Sequence, residues 1–288
     1  MKEALYYEVL ERKKTRCRIC PRNCIIENGK RGFCRARENQ DGKLYSLVYA
    51  APCSVNIDPI EKKPLYHFLP RTKTFSIGTA GCNLRCKFCQ NWKISQAMPE
   101  DLPLIELSTN KAVETAKAEG CKSISYTYTE PSIFYEYVLD TAKLAKKKGL
   151  KNVMVSNGFI NHEPLKKWCK YMDAASIDLK SFSDDFYRKY TGAWIKPVLE
   201  TLKILKKEKV WIEITNLIIP GLNDDMEEIK EMCRWIKKEL GEEVPLHFSR
   251  FFPDYIMKDI GPTRKETLFK AKEVAEKAGL KNIHLGNI

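Results

Sequence analysis

The stretch at residues 78–92, GTAGCNLRCKFCQNW, decides the fold. Its three cysteines, Cys82, Cys86 and Cys89, have the spacing C-x3-C-x2-C and follow a short β-like run at residues 74–77. Small residues at the end of that run predict a turn into a thiol-rich loop. Three thiolates this close can hold three irons of a [4Fe–4S] cluster and leave the fourth iron open to another ligand. The stretch therefore predicts a reactive metal site at the carboxyl end of a strand.

Other uses of these cysteines require other features. A structural zinc site is closed and tetrahedral, but no His or Cys follows Cys89 until Cys121. Disulfides cannot use three cysteines evenly, and cysteines one turn apart would strain a bridge. The iron–sulfur cluster is the favoured interpretation, and zinc and disulfides are the alternatives.

Length and composition restrict the class of protein. The 288 residues suit one large domain, or one domain with a small module. The net charge is +13, from 50 basic and 37 acidic residues. Lys and Glu are spread along helical segments such as 229–240, which is typical of solvated helix faces in heat-adapted proteins. Because no basic run is interleaved with aromatic residues, binding of nucleic acid is not favoured.

The sequence also predicts where the protein works. It has no run of about 18 apolar residues that would predict a membrane span. Residues 1–17 have no signal-peptide core. We therefore expect a cytoplasmic protein without a membrane partner, and eleven cysteines in that compartment favour metal ligation over disulfides.

Residues 1–70 are expected to form a cysteine-rich lobe and an arm, and residues 71–288 the main domain. Apolar spacing at residues 2–14 predicts a helix. Residues 43–50 follow Asp41-Gly42 and predict a strand. Residues 57–70 hold three prolines and predict a loop or arm, which includes His67.

The lobe carries a second group of cysteines, Cys17, Cys20, Cys24 and Cys34, spaced C-x2-C-x3-C-x9-C. Four thiols within so short a segment can close a tetrahedral site, and a zinc knuckle is the first interpretation. A second iron–sulfur cluster and two redox-dependent disulfides are the alternatives. In each case the group would hold together a lobe that has little core of its own.

From residue 74 onward, strand and helix patterns alternate. We expect helices at 107–119, 132–148, 162–171, 184–190, 197–207, 225–240 and 263–278. Strands are expected at 74–78, 123–128, 152–156, 174–179, 210–218, 245–251 and, more briefly, 283–285. Six successive βα units favour a barrel over a doubly wound sheet, and no G-x-G-x-x-G follows a strand. The predicted fold class is α/β, a partial (β/α)6 TIM-like barrel with a small N-terminal cysteine-rich lobe.

In such barrels the working residues lie at the carboxyl ends of the strands. Nearly every predicted strand of this chain ends in polar or charged groups, where an inert barrel would not need them. Beyond the cysteine loop, the candidates are Thr129, Glu130, Asn157, Asp178, Lys180, Asn216, His247 and Arg250. An open side of the barrel would suit a large substrate such as a protein.

The cysteine spacing, with Phe88 before the last cysteine, resembles the radical SAM superfamily. Residues 74–252 are similar to glycyl-radical-enzyme activases of the pyruvate formate-lyase type. The resemblance implies that the open iron binds S-adenosylmethionine (SAM). It assigns SAM contacts to Phe88, Gln90 and Asn91, beside Cys89.

Other motifs of the activases are matched in part. A Gly-Gly-Glu that binds the SAM ammonium corresponds to Tyr128-Thr129-Glu130, which keeps the glutamate and loses both glycines. Asp178-Leu179-Lys180 corresponds to an Asp-Leu-Lys, and Lys180 would reach the SAM carboxylate or ribose. An activase aspartate that lines a cation site is Val155 here, which puts that site in doubt.

Nearly the whole chain is similar to the radical SAM members of the AmmeMemoRadiSam group. The segments that carry this resemblance are Cys-Pro-Arg-Asn-Cys, Arg-Gly-Phe-Cys, Lys-Pro-Leu-Tyr-His-Phe and His-Phe-Ser-Arg-Phe-Phe-Pro. It implies an enzyme that cleaves SAM to a 5′-deoxyadenosyl radical with an electron from ferredoxin or flavodoxin, with an activase-like reaction on a protein as the first interpretation. The alternatives are a radical enzyme acting on RNA or a small molecule, and a non-catalytic zinc-binding scaffold.

Overall fold

The computed structural model describes residues 1–288, and two small antiparallel sheets form its N-terminal lobe. One sheet has the order β1-β6-β5 and the other β2-β3-β4. Their bounds are β1 (Lys2–Glu3), β2 (Tyr7–Val9), β3 (Thr15–Cys17), β4 (Ile25–Ile26), β5 (Arg37–Gln40) and β6 (Lys43–Ser46). The predicted helix at residues 2–14 is wrong, because β1 pairs with β6 and β2 pairs with β3. Strand pairing overrides a weak helical spacing.

The main domain is built on an eight-stranded sheet. Its strands are β7 (Ser54–Pro59), β8 (Lys73–Gly78), β9 (Ser123–Tyr126), β10 (Lys151–Ser156), β11 (Ala174–Asp178), β12 (Trp211–Ile218), β13 (Leu246–Arg250) and β14 (Ile283–Gly286). They lie side by side in chain order, β8 to β14 parallel and β7 antiparallel at the edge beside β8. The predicted partial α/β barrel is confirmed. Part of the predicted loop at 57–70 belongs to β7, while the domain boundary at residue 70 stays a prediction.

Helices connect the parallel strands. They are α1 (Trp92–Ser95), α2 (Thr109–Ala118), α3 (Tyr135–Lys147), α4 (His162–Cys169), α5 (Asp184–Phe186), α6 (Lys196–Lys207), α7 (Met226–Leu240) and α8 (Lys265–Lys277). Ser108 caps α2 by accepting a hydrogen bond from Lys111 N, and Asp225 caps α7. Such side chains satisfy backbone N–H groups that the first helical turn leaves free. No helix combines the length and the apolar character needed to cross a membrane.

The arm between β7 and β8 fills the end of the barrel that lies away from the strands' carboxyl ends. Ile60 and Leu65 of the arm pack with Val153 and Ala174 in a small core of their own. The backbone N–H groups of residues 66–68 donate to the carboxylate of Glu213 on β12. The arm thereby ties the β7 side of the sheet to strands near its opposite edge.

Candidate active site at the carboxyl ends of the strands

A cavity of about 670 Å³ opens at the carboxyl ends of the parallel strands, within the size range of small-molecule sites. It is lined by the three cysteines of the cluster loop, residues 82–91. Apart from those cysteines, eight of the predicted site residues line the cavity: Phe88, Gln90, Asn91, Thr129, Asn157, Asp178, Lys180 and His247. Ser156 and Thr215 line it as well.

Backbone contacts hold the cluster loop in place. Arg85 N donates to the carbonyl of Thr191 at 2.8 Å, and Lys87 N donates to that of Tyr190 at 2.9 Å. Gly81 begins the loop at φ +89°, and a Cβ built there would lie 2.3 Å from the carbonyl oxygen of Cys34. Only glycine fits that conformation and that approach. The loop is therefore packed directly against the N-terminal lobe.

The three thiols lie in surroundings that suit metal-bound thiolates. Leu84 N donates to Cys82 Sγ at 3.4 Å, and Ser95 Oγ lies 3.2 Å from Cys89 Sγ. Burial raises the pKa of Cys82 well above its usual value and that of Cys86 to about 12. Burial keeps the Cys86 thiol protonated even though the charge of Lys180 opposes this. A metal centre would supply the further positive charge that thiolates require.

Asn91 connects the cluster loop to the loop that follows β9. Its Nδ2 donates to the carbonyl of Tyr128 at 2.7 Å. Thr129 Oγ1 donates to the carbonyl of Thr79 at 2.9 Å. Tyr128 has φ +68°, the left-handed conformation that glycine adopts without strain. The glycine-to-tyrosine difference from the activase motif therefore keeps the backbone turn and adds a side chain to the cavity wall.

The structure does not bring Glu130 to the cavity. Its side chain is fully buried, and its carboxylate accepts hydrogen bonds from Ser132 N, Asn157 N and Ser156 Oγ, at 2.9 to 3.1 Å. Burial raises the pKa of Glu130, and these hydrogen bonds oppose that rise. The contact between Glu130 and the SAM ammonium therefore stays a prediction, and this geometry does not support it. The glutamate instead joins the loops after β9 and β10.

Asp178 and Lys180 form an ion pair beside the thiols. Lys180 Nζ lies 2.9 Å from Asp178 Oδ2 and 5.8 Å from the centre of the Phe88 ring. Burial would lower the pKa of Lys180, but the charges of Asp178 and Cys86 raise it. The ammonium is therefore held charged next to the cluster loop. It is placed to meet an anionic group of a bound ligand.

Asn157 lies between the cluster loop and Glu130. Its Nδ2 donates to Asn83 Oδ1 at 2.9 Å and lies 3.9 Å from Cys82 Sγ. Asn83 in turn donates to Ser132 Oγ and to the carbonyl of Phe159. Asn157 thus helps to fix the orientation of the first cysteine, as well as lining the cavity.

Two predicted site residues face away from the cavity because side chains alternate along a strand. On β12, Thr215 lines the cavity, and Asn216 donates instead to the carbonyl of Leu179 at 2.8 Å. On β13, His247 lines the cavity, and Arg250 donates to the carbonyl of Thr263. Binding of the cofactor by Asn216 and Arg250 therefore stays a prediction, and this geometry does not support it.

Sequence reasoning missed a charged cluster in the cavity wall. Asp58 on β7 accepts hydrogen bonds from Lys63 Nζ at 2.6 Å and from Tyr128 Oη at 2.5 Å. Lys63 is almost fully buried, and its ammonium lies 4.4 Å from the centre of the Tyr128 ring. The sequence feature that could have predicted this cluster is Tyr128, which replaces a glycine of the activase motif. A large residue in the left-handed conformation needs partners to hold it.

Three of the chain's four histidines meet at the arm. His247 Nε2 lies 2.8 Å from Glu213 Oε2, and His67 Nε2 lies 2.8 Å from His284 Nε2. The rings of His247 and His284 stack, with centres 4.9 Å apart. Burial and the neighbouring His247 and His67 lower the pKa of His284 to about 4. This cluster connects the arm with β13 and β14.

The cysteines of the lobe surround a second, smaller cavity. Cys17, Cys20, Cys24 and Cys34 line about 20 Å³, together with Arg22. None of the eleven cysteines forms a disulfide. With the side chains in these positions, neither group brings three or more of them close enough to bind a single metal ion. The thiols surround a space in both groups, and the two spaces differ greatly in size.

The residues of the large cavity fit an iron–sulfur cluster with a polar ligand. Three thiols supply three of the four cysteine positions that such a cluster uses. Thr215 Oγ1 is buried at the cavity without a hydrogen-bond partner, as a group that awaits a polar ligand would be. The site therefore has a donor set that fits the cluster, with a charged pair and an unpartnered hydroxyl nearby.

Comparisons with known proteins agree with this geometry. The family model of the radical SAM superfamily matches residues 76–236, which is more than half of the chain. An uncharacterized protein of Methanocaldococcus jannaschii is 49% identical over 288 residues, all of this chain and 86% of its own length. Pyruvate formate-lyase 1-activating enzyme of Escherichia coli is 25% identical over 219 residues, 70% of this chain and 87% of its own length.

Solved structures show the same fold. A radical SAM methyltransferase from Sphaerobacter thermophilus has a TM-score of 0.59 at 15% identity, over 77% of this chain and 68% of its own. QueE from Escherichia coli has a TM-score of 0.55 at 9% identity, over 82% of this chain and 93% of its own. From the family match, the relatives and the cysteine-lined cavity it follows that the chain belongs to the radical SAM superfamily, with distant similarity to pyruvate formate-lyase-activating enzymes.

Proposed function

We propose that the chain cleaves SAM reductively and passes the resulting radical to a macromolecular substrate, with a protein as the first choice. The observation that carries the proposal is the opening of Cys82, Cys86 and Cys89 into a cavity of about 670 Å³ beside Lys180. A cavity of this size has room for more than the ligands of a closed structural site. The 25% identity to an activating enzyme supports a protein substrate.

Cys82, Cys86 and Cys89 would hold the [4Fe–4S] cluster, and the residues around them would hold SAM. When bound, the two supply one-electron cleavage of the S–C5′ bond, which yields methionine and a 5′-deoxyadenosyl radical that takes a hydrogen atom from the substrate. The electron must come from a one-electron reductant. Ferredoxin or flavodoxin is the donor that we propose.

The chain's own residues orient the ligand. Lys180, which Asp178 holds in place at 2.9 Å, would meet the SAM carboxylate or a ribose oxygen. Asn91 fixes the Tyr128 carbonyl at the cavity edge, and Thr215 offers a free hydroxyl. Phe88 and Gln90 would pack along the ligand beside Cys89. Held donors of this kind act by orientation, because their positions do not change when charge develops.

The first test is the formation of 5′-deoxyadenosine. Protein reconstituted anaerobically with iron and sulfide, and supplied with SAM and dithionite, should produce 5′-deoxyadenosine and methionine in equal amounts. The Cys82→Ala variant should produce none above background. Cys53→Ser is the matched control, because Cys53 is half-buried and lies outside both cysteine groups. Production by Cys82→Ala at the wild-type rate would refute the proposal.

The second test identifies the substrate class. Cells of the source organism grown in deuterated medium provide separate protein, RNA and small-molecule fractions. Because the radical takes its hydrogen from the substrate, 5′-deoxyadenosine should gain one deuterium only with the protein fraction. Label from the small-molecule fraction would refute a macromolecular substrate.

RNA is the second candidate substrate, because the net charge of +13 favours association with polyanions. Label from the RNA fraction, together with RNA binding that weakens steeply as salt rises, would favour it over protein.

A further inference from the structure

We propose that Cys17, Cys20, Cys24 and Cys34 bind one zinc ion, and that this zinc site makes the N-terminal lobe a rigid support for the cluster loop. The proposal does not depend on the proposed reaction. It concerns a second metal site, separate from the thiols that line the large cavity.

Three short pieces of the lobe bring the four thiols together. Cys17 ends β3, Cys20 and Cys24 lie in the turn between β3 and β4, and Cys34 precedes β5. Cys17 N donates to the carbonyl of Cys24 at 3.0 Å, which closes the turn. All four line the same cavity of about 20 Å³. The three pieces thus place all four cysteines around one small cavity in the lobe.

The surroundings of the four thiols favour a negatively charged centre. The remaining walls include Ile19, Ile26 and Ile133, and no carboxylate lines the cavity. Arg22 does line it, and its guanidinium donates only to the carbonyls of Asn83 and Gly192, at 2.6 Å each. Arg22 is only half-buried, but none of its side-chain hydrogen bonds goes to an anion. Four thiolates around one zinc carry a net negative charge, which would supply that anion.

Packing alone does not explain the arrangement. A buried free cysteine usually behaves as a small apolar residue that fills space. Four cysteines around a cavity leave space unfilled. The two antiparallel sheets of the lobe have strands of only two to four residues. A lobe with so little secondary structure gains most from a metal that joins its pieces.

The size of the cavity favours one ion over a second iron–sulfur cluster. About 20 Å³ is slightly more than the space that one water molecule requires. Four cysteines also complete a tetrahedral zinc site and leave no position open, which is the structural type. The thiols do not yet converge on one ion. A cysteine places its sulfur by a single torsion, and the proposal requires that changes of rotamer bring the four sulfurs together around the ion.

The lobe contacts the cluster loop at several points. Gly81 approaches the carbonyl of Cys34, and Arg85 of the loop donates to the carbonyl of Phe33. Arg35 donates to the carbonyl of Gln96, and Arg22 to that of Asn83, next to Cys82. A zinc ion that fixes residues 17–34 would therefore also fix one wall of the loop.

The test uses the full chain purified anaerobically, with a variant in which Cys82, Cys86 and Cys89 are all replaced by alanine. The triple variant should retain about one zinc per chain and contain no iron. About four irons in that variant would show a second cluster in the lobe and overturn the proposal. Absence of both metals, or zinc in the wild type that disappears in the triple variant, would overturn it as well.

Substitutions in the lobe test the ligands. Cys24→Ser should reduce zinc at least about tenfold, with Cys53→Ser unchanged as the control. The iron taken up on reconstitution should fall severalfold in Cys24→Ser, since the loop loses its support. Wild-type iron uptake by a folded, zinc-free Cys24→Ser would overturn the support role.

A measurement on cobalt-loaded protein does not depend on the folding of Cys24→Ser. The triple variant expressed with cobalt in place of zinc should show the intense thiolate-to-cobalt absorption and visible bands of a tetrahedral four-thiolate site. Weak bands typical of six oxygen or nitrogen ligands would overturn the proposal.

Discussion

The two cysteine groups of this protein place the same residue type in opposite surroundings. Cys82, Cys86 and Cys89 open into about 670 Å³ beside charged and polar side chains. The four cysteines of the lobe surround about 20 Å³ with mainly apolar walls. The number of thiols matches the space in each group. Three thiols would leave one coordination position open beside a cavity that a ligand can enter. Four thiols would leave no position open around a cavity that is too small for a ligand. In the function that we propose, reactivity follows from the missing fourth ligand and from the cavity in front of it.

The largest expected effect is a difference in 5′-deoxyadenosine formation between variants of the two cysteine groups. Cys86→Ala should reduce 5′-deoxyadenosine formation by about 1,000-fold or more, because a ligand of the reactive site is lost. Cys20→Ser should reduce it only severalfold per iron bound, because it acts through the support of the loop. The measurement is the rate of product formation normalised to bound iron. Equal losses in the two variants would break the comparison.

The contact between the groups predicts the next effect, on stability. Gly81→Ala should lower the free energy of unfolding by about 3 kcal/mol, because its Cβ would meet the Cys34 carbonyl. Gly120→Ala is the control: Gly120 also has a positive φ, of +70°, but has nothing within 4 Å of the added Cβ. That variant should lose only about 1 kcal/mol. Chemical denaturation measures the free energy of unfolding of both variants. Equal losses would mean that the lobe and the cluster loop are not in close contact at Gly81.

The open group should depend on its ion pair for ligand binding. Lys180→Met should weaken SAM binding about tenfold, the loss expected for one charge-assisted contact. Lys93→Met is the control, because Lys93 is an exposed lysine close to the same loop. Equilibrium binding to reconstituted protein measures the difference. Unchanged binding in Lys180→Met would remove Lys180 from the site.

Because side chains alternate between the two faces of β12, substitutions at two adjacent residues should have different and smaller effects, one on SAM binding and the other on stability. Thr215→Val removes the buried, unpartnered hydroxyl of a residue that lines the cavity and should weaken SAM binding by about 1 kcal/mol. Asn216→Ala removes a buried hydrogen bond to Leu179 and should lower stability by about 1 kcal/mol with SAM binding unchanged. Binding and thermal unfolding of both variants check the assignment, which fails if Asn216→Ala alone weakens binding.

The smallest effect is a pH dependence outside both cysteine groups. The pKa of His284 is lowered to about 4 by burial and by His247 and His67. The unfolded chain therefore takes up this proton first, so stability should fall as the pH falls from about 6.5 towards 4. His284→Gln should flatten this dependence by about 1 kcal/mol, and His162→Gln, at an exposed histidine, should not. Melting temperatures from pH 7 to pH 4.5 measure it.

The sequence was sufficient where local spacing carries the chemistry. The C-x3-C-x2-C spacing, the alternation of strands with helices and the polar strand ends predicted the barrel and most of the cavity. The sequence was insufficient where it had to show which of two adjacent strand residues faces the cavity. Asn216 and Thr215 are neighbours, and only the register of β12 with β11 and β13 shows which one points inward. The approach of Gly81 to Cys34 joins residues that no local pattern relates. Glu130 matched a motif, but hydrogen bonds from the loop after β10 turn it inward.

The central claim is that the three-cysteine group leaves one iron open and the four-cysteine group takes part in no iron chemistry. Mössbauer spectroscopy of protein reconstituted with ⁵⁷Fe, with and without SAM, tests it most directly. We predict about four irons per chain, of which one changes its signal when SAM is added. A spectrum that SAM leaves unchanged, or a second set of about four irons, would contradict the account.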